Sequence, residues 1–137
     1  MLYFSAEMKI RLASYRDSKI ELAFPIQPRS RVTIGRESDN VIQLPHEKIS
    51  KHHAAIYETK QGWMIEDLQS KNGILVNGQR ETEAKLANGD LIKLGPYQFY
   101  FETEVPSDDW IPSYILDDST RTNDRTLTLT QMPRRRP

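Results

Sequence analysis

The sequence predicts an all-β domain, a two-sheet sandwich of about 11 short strands, and three observations carry that expectation. Short runs rich in β-branched and aromatic residues recur along the chain, a composition suited to pleated, half-buried strands. Turn signals separate these runs, the clearest being Asn77-Gly78, whose two residues tolerate the positive φ that tight hairpins demand. No apolar repeat of 3.6 residues persists for even 11 residues between breakers, so amphipathic helices are not expected. Many short strands joined by tight turns are the pattern of a sandwich or barrel.

Taken in order, strands are expected over residues 9–14, 20–25, 31–34, 41–43, 54–58, 63–67, 74–76, 91–94 and 98–102. Val76-Asn77-Gly78-Gln79 supplies a hairpin, and Asn88-Gly89-Asp90 reads as a second turn of the same type. Composition shifts near Val105. Residues 7–104 form the expected domain. Residues 105–137 form a Thr-, Arg- and Pro-rich tail or linker, with too little apolar surface to stay ordered from Asp117 onward. Trp110, Ile111, Tyr114, Ile115 and Leu116 offer the tail one short docking patch.

The 137 residues suffice for one domain and a tail. Nineteen basic and 19 acidic side chains cancel, so no long-range field draws the chain to nucleic acid or an anionic membrane. Arg134-Arg135-Arg136 is too small a cluster to change that, with five aspartates in the same tail. Neither nucleic acid nor membrane is an expected partner. There is no cysteine, which excludes disulfides and thiolate metal sites and suits a reducing compartment. Residues 1–8 are too short and too polar for a secretory signal, and Met8 offers an alternative start. A cytoplasmic protein is expected, or a nuclear one in a eukaryote.

Three loops hold the chemistry. In Ile34-Gly35-Arg36-Glu37-Ser38-Asp39-Asn40 a strand ends at a glycine and an arginine follows at once. Glycine lets the backbone turn, and the guanidinium fork suits two phosphate oxygens. Taken alone, Arg36 reads as a surface cation paired with Glu37 or Asp39. In Ile49-Ser50-Lys51-His52-His53-Ala54, Ser50 offers a hydroxyl and Lys51 a mobile ammonium. His52 and His53 are adjacent on an extended segment, so they point to opposite faces and do not chelate one metal. One is expected to be buried as a loop clamp and the other exposed. In Asp67-Leu68-Gln69-Ser70-Lys71-Asn72-Gly73, Asn72 has a donor and an acceptor with which to read a peptide backbone. Read without the other loops, this one is an ordinary Asn-Gly turn.

The order Gly35-Arg36, Ser50-Lys51-His52-His53, Ser70-Lys71-Asn72-Gly73, Val76-Asn77-Gly78 and Gly89-Asp90-Leu91-Ile92-Lys93-Leu94-Gly95 closely resembles the forkhead-associated (FHA) domain family. The likeness spans roughly residues 10–101. It implies a sandwich whose loops at one end bind phosphothreonine. By that resemblance Arg36 holds the phosphate, Ser50 donates to one of its oxygens, Lys51 and Lys71 add charge, and Asn72 bonds the peptide just after the phosphothreonine. Gly35, His53, Gly73, Asn77 and Gly78 shape the site. The implied partners are phosphothreonine proteins, namely a Ser/Thr kinase or its substrates, with no cofactor and no metal.

Departures from the family pattern carry their own expectations. The family usually has Arg where Lys51 stands, Gly where Gln69 stands and Thr where Lys71 stands. The last exchange replaces a hydrogen bond with a charge and relaxes discrimination against phosphoserine. It also supports a competing reading, a scaffold of the same fold that docks partners without phosphate. Five threonines, Thr120, Thr122, Thr126, Thr128 and Thr130, fall within 11 residues of the tail and are candidate phosphosites. Thr126 is preferred because Leu129 stands third after it. The phosphorylated tail would then occupy the chain's own site or a neighbour's. Catalysis is not expected: Ser50 lies near His53, but no third orienting group and no paired carboxylates accompany them.

Overall fold

The computed structural model describes residues 9–105 together with Leu127–Thr128. The expected docking patch in residues 110–116 and the candidate phosphosites Thr120, Thr122, Thr126 and Thr130 lie outside those residues. In chain order the strands are β1 (Lys9–Arg16), β2 (Lys19–Ile26), β3 (Arg31–Gly35), β4 (Ile42–Gln43), β5 (Ala54–Thr59), β6 (Gly62–Asp67), β7 (Ile74–Val76), β8 (Gln79–Glu81), β9 (Glu83–Leu86), β10 (Asp90–Leu94), β11 (Tyr97–Val105) and β12 (Leu127–Thr128). They form two six-stranded sheets, ordered β2-β1-β11-β10-β7-β8 and β12-β4-β3-β5-β6-β9. No helix among the described residues is long and apolar enough to cross a membrane.

Alternation along the strands builds the core. In β3, Val32 and Ile34 are buried while Arg31 faces solvent; in β11, Phe99 and Phe101 point inward and Tyr100 outward. Period-two patterning places one face of each sheet against the other. The inner layer holds Leu12, Phe24, Ile34, Ile56, Ile65, Ile92, Phe99 and Phe101, all without solvent exposure. Phe24 meets Phe99 edge-on at 5.7 Å between centroids, and Trp63 meets Phe101 at 5.8 Å, within the range where aromatic pairs add to simple burial.

All nine expected strands are present, and three more appear. β8 reads Gln-Arg-Glu and is exposed or half-exposed. β9 reads Glu-Ala-Lys-Leu, a composition depleted in strands. Each is held by a partner: Leu75↔Arg80 joins β7 to β8, and Ile65↔Ala84 joins β6 to β9. β12 pairs in parallel with β4 through Leu127↔Ile42 and Thr128↔Gln43. The Asn77-Gly78 hairpin has both residues left-handed, at φ 52° and 85°. The Asn88-Gly89 turn departs from that expected type: only Gly89 is left-handed, at 92°, and the Asn88 side chain instead accepts the Thr103 N–H. The β1–β2 hairpin turns on Asp17-Ser18, both with positive φ, a pair without the usual glycine signal.

Candidate functional site

The loops after β3, before β5 and before β7 meet, and backbone hydrogen bonds fix how. Arg36 N–H donates to Ser50 O at 2.9 Å and Glu37 N–H to Lys51 O at 3.3 Å. His53 N–H donates to Ile34 O, and Leu68 N–H to His53 O. The three segments that look unrelated in sequence therefore share one hydrogen-bonded seam.

Gly35 permits the closest approach. A Cβ there would lie 2.2 Å from Lys51 O and 2.7 Å from Asn40 Nδ2, so no larger residue fits without moving backbone. Asn40, fully buried, staples the two loops from one amide: Nδ2 donates to both Glu37 O and Lys51 O at 2.8 Å. Nothing in the polar run Glu37-Ser38-Asp39-Asn40 marks Asn40 apart from its neighbours, so its role is not legible in the sequence.

His53 is buried and its contacts fix its tautomer. Ser50 N–H can only donate, so Nδ1 accepts it at 3.0 Å. The ring proton therefore sits on Nε2, which donates to Gly73 O at 2.9 Å. A neutral imidazole thus ties the Ser50 loop to the Gly73 loop. His52 is exposed and pairs with Asp39 at 2.9 Å. That hydrogen bond, with some Coulombic help, holds the Asp39 carboxyl below the usual carboxylate range. Asp39 engages His52, and no ion pair among the described residues holds Arg36.

The expected site residues fall together. Arg36 is half-exposed; Nη1 donates to Ile49 O at 3.1 Å, which aims the guanidinium and leaves most of its donors open. Its carbonyl accepts Gln43 Nε2. Ser50 Oγ accepts the Lys71 N–H at 2.9 Å, which leaves the hydroxyl hydrogen free to donate outward. Asn72 is exposed and its Nδ2 donates to Lys48 O at 2.8 Å; its Oδ1 has no donor among the described residues. Lys51 and Lys71 present exposed ammonium groups. Arg36, Ser50 and Asn72 are thus linked through Ile49 O, Lys71 N–H and Lys48 O, with Lys51 and Lys71 exposed on the same loops.

Support comes from behind. Ser70 Oγ accepts Gly73 N–H at 2.9 Å and donates to Asp67. Gln69 takes φ 61°, the left-handed conformation that glycine adopts without strain. Asn77 does more than turn a hairpin. Its Nδ2 donates to Asp90 Oδ1 at 3.0 Å, and its Oδ1 accepts the Leu91 N–H at 2.9 Å, locking β7–β8 to β10. A cavity of about 330 Å³ is lined by Arg11, Asn88, Gly89, Tyr100, Glu102, Glu104 and Val105 rather than by these loops.

The FHA domain family model matches residues 32–95, which contain every residue of the seam. An FHA domain of an Arabidopsis thaliana protein, solved in solution, is 30% identical with a TM-score of 0.60, over 76% of this chain and 94% of that one. The chain belongs to the FHA domain family. This FHA domain is also similar to EmbR of Mycobacterium tuberculosis, solved in complex with a low-affinity phosphopeptide: 30% identical, TM-score 0.64, covering 72% of this chain and 25% of that one. The ABC transporter ATP-binding/permease protein Rv1747 of M. tuberculosis is 40% identical over 74 residues, 54% of this chain and 9% of the transporter. The chain therefore spans a quarter or less of these longer relatives.

Proposed function

We propose that this FHA domain binds phosphothreonine in a partner protein and serves as an adaptor in kinase-linked signalling or assembly. The observation that carries the reading is the convergence of Arg36, Ser50 Oγ and Asn72 on one rim, linked through Ile49 O, Lys71 N–H and Lys48 O. In this reading Arg36 forks two phosphate oxygens, the free Ser50 hydrogen donates to one of them, and Lys51 and Lys71 add charge. Asn72 reads the peptide backbone. Gly35, His53, Gly73, Asn77 and Gly78 hold the geometry. Residues 7–104 are the binding domain, and residues 105–137 are a tail or linker. The module binds and releases without turnover, and needs no cofactor.

The magnitudes suit a reversible adaptor. Hydrogen bonds to a charged group contribute about 1.5–3 kcal/mol each. Three or four, less the ordering of a flexible peptide, give a dissociation constant on the order of micromolar. Titration of the chain with a phosphothreonine peptide, its unphosphorylated form and its phosphoserine form tests this by calorimetry. Arg36→Ala should abolish measurable binding. Equal affinity of Arg36→Ala and parent would place the ligand elsewhere. Lys71, where a threonine is usual, favours the phosphate-independent reading: binding that survives phosphatase treatment of the partner would select it.

One observation favours regulation by the chain's own tail: Leu127–Thr128 pairs with β4, whose Gln43 bonds the Arg36 carbonyl. Tethering raises the effective concentration of such a tail to roughly millimolar, enough to saturate a micromolar site once Thr126 is phosphorylated. Amide NMR shifts of the phosphorylated chain test it. Unchanged Arg36, Ser50 and Asn72 signals would remove the closed form.

A further inference from the structure

All three histidines of the chain fall between residues 46 and 53, in the loop that presents Ser50 and Lys51. His52 pairs with Asp39, and His53 clamps Ser50 to Gly73. His46 holds the start of the loop. Its Nδ1 accepts the Lys48 N–H at 3.0 Å, and its carbonyl accepts the Ile49 N–H at 2.9 Å. The ring is half-buried and meets Tyr97 edge-on, with 6.1 Å between centroids. Tyr97 in turn stacks on the core residue Phe99. One residue therefore closes this turn with both its side chain and its backbone, from a seat against the core.

Lys48 and Ile49 are also the residues whose carbonyls orient the site. Lys48 O accepts Asn72 Nδ2 at 2.8 Å, and Ile49 O accepts Arg36 Nη1 at 3.1 Å. Each is held by His46 through its N–H and holds a site side chain through its C=O. A shift of the turn moves both carbonyls, and with them the carboxamide and the guanidinium. The hold has one condition: a backbone N–H only donates, so Nδ1 must lack a proton. An imidazolium carries N–H on both nitrogens and accepts nothing. Protonation therefore sets two donors face to face at Lys48. No carboxylate pairs with His46 among the described residues to steady a charged ring, as Asp39 does for His52. The groups around it are the Tyr97 ring and, in its own turn, the exposed Glu47 and Lys48.

We propose that His46 is a positioning residue of the phosphopeptide site and makes that site pH-dependent: neutral His46 keeps Arg36 and Asn72 aimed, and protonated His46 releases them. The proposal rests on the phosphopeptide reading and adds a regulation of the same site. Imidazole changes charge between about pH 5 and 8, so binding should weaken across that window as pH falls. Loss of the turn-closing hydrogen bond is worth roughly a three- to tenfold change in affinity. The ligand titrates too, because a phosphate monoester loses its second proton near about pH 6. Comparing variants against the same ligand at each pH cancels that contribution.

The experiment uses the full chain and one labelled pool of degenerate phosphothreonine peptides. Parent, His46→Asn, His46→Ala and Arg36→Ala are titrated by fluorescence anisotropy from about pH 5.5 to about pH 8, and urea midpoints confirm that each is folded. Asparagine offers an oxygen that accepts the N–H two residues on and does not protonate. At about pH 8, His46→Ala should bind roughly three- to tenfold more weakly than the parent, and His46→Asn should recover most of that loss. At about pH 5.5, His46→Asn should bind roughly three- to tenfold more tightly than the parent. In the ligand-free parent, the NMR signals of the Lys48 amide and the Asn72 carboxamide should follow the His46 ring titration; in His46→Asn they should stay still. His46→Ala binding like the parent, a parent to His46→Asn affinity ratio that is constant with pH, or amide signals that ignore the ring each overturn the inference. Arg36-dependent binding then keeps the phosphopeptide reading intact. Failure of the parent to bind the phosphopeptide pool at any pH overturns both.

Discussion

Replacing Gly35 by alanine would drive a methyl group to within 2.2 Å of Lys51 O and 2.9 Å of the Lys51 carbonyl carbon. That is about 1 Å or more inside van der Waals contact, and the obstacle is backbone, which cannot rotate aside. The loop before β5 must move by about as much. Lys51 O accepts Glu37 N–H at 3.3 Å and Asn40 Nδ2 at 2.8 Å, and both bonds lie beyond hydrogen-bond range after such a shift. Each lost bond costs about 1 kcal/mol, and leaving one buried Asn40 N–H without a partner, the other still on Glu37 O, adds about 1–3 kcal/mol. The sum is roughly 3–5 kcal/mol against a domain stability of about 5–15 kcal/mol. Urea unfolding followed by tryptophan fluorescence measures it. Asn40→Ala supplies the control: it removes the staple without crowding and should cost about 2 kcal/mol. Because both changes act on Lys51 O, the double variant should cost less than the sum of the two. Gly35→Ala within about 0.5 kcal/mol of the parent, or strict additivity, would refute the packing argument.

Gln69→Gly should stabilise the domain by about 0.5–1 kcal/mol, since it relieves a left-handed non-glycine at φ 61° against a modest gain in unfolded-chain entropy; a lower urea midpoint would count against this. Asn77→Ala removes the bonds to Asp90 and Leu91 and puts a Cβ-bearing residue without polar compensation at φ 52°. It should cost about 2–3 kcal/mol, and a loss below about 1 kcal/mol would show that the clamp is dispensable. Asp39, held below the ordinary carboxylate range chiefly by its hydrogen bond to His52, stabilises the fold above its unfolded value near 3.9. That contribution disappears as pH falls through the lower, folded value. Carboxyl carbon NMR should show its midpoint rising in His52→Ala, and an unmoved midpoint would remove the pair from the account.

The ABC transporter Rv1747 and the regulator EmbR share with the chain only a stretch of their length, so the activity of neither whole protein carries over to it. The adaptor reading asks only that the binding rim be transferable. The geometry accommodates this: the seam is closed within residues 34–73 by backbone bonds and buried amides, and the β7–β8 hairpin is locked to β10 through Asn77.

Local chemistry determined much of this protein. β-Branched and aromatic runs specified the long strands because side-chain fit to a pleated surface is a short-range property. Asn77-Gly78 specified its hairpin because positive φ is a property of two residues, and Gly35-Arg36 marked where a strand ends in a tight approach. Other features needed the assembled chain. β8 and β9 are strands only because β7 and β6 offer them partners; Gln-Arg-Glu and Glu-Ala-Lys-Leu carry no such preference. The tautomer of His53 was decided by Ser50 N–H and Gly73 O, 20 residues apart along the chain from the imidazole to the carbonyl. Asn40 became a staple because folding brought a backbone carbonyl to it. Torsional preference is written residue by residue, whereas a hydrogen-bond partner across loops exists only after two sheets have packed and fixed where their connections meet.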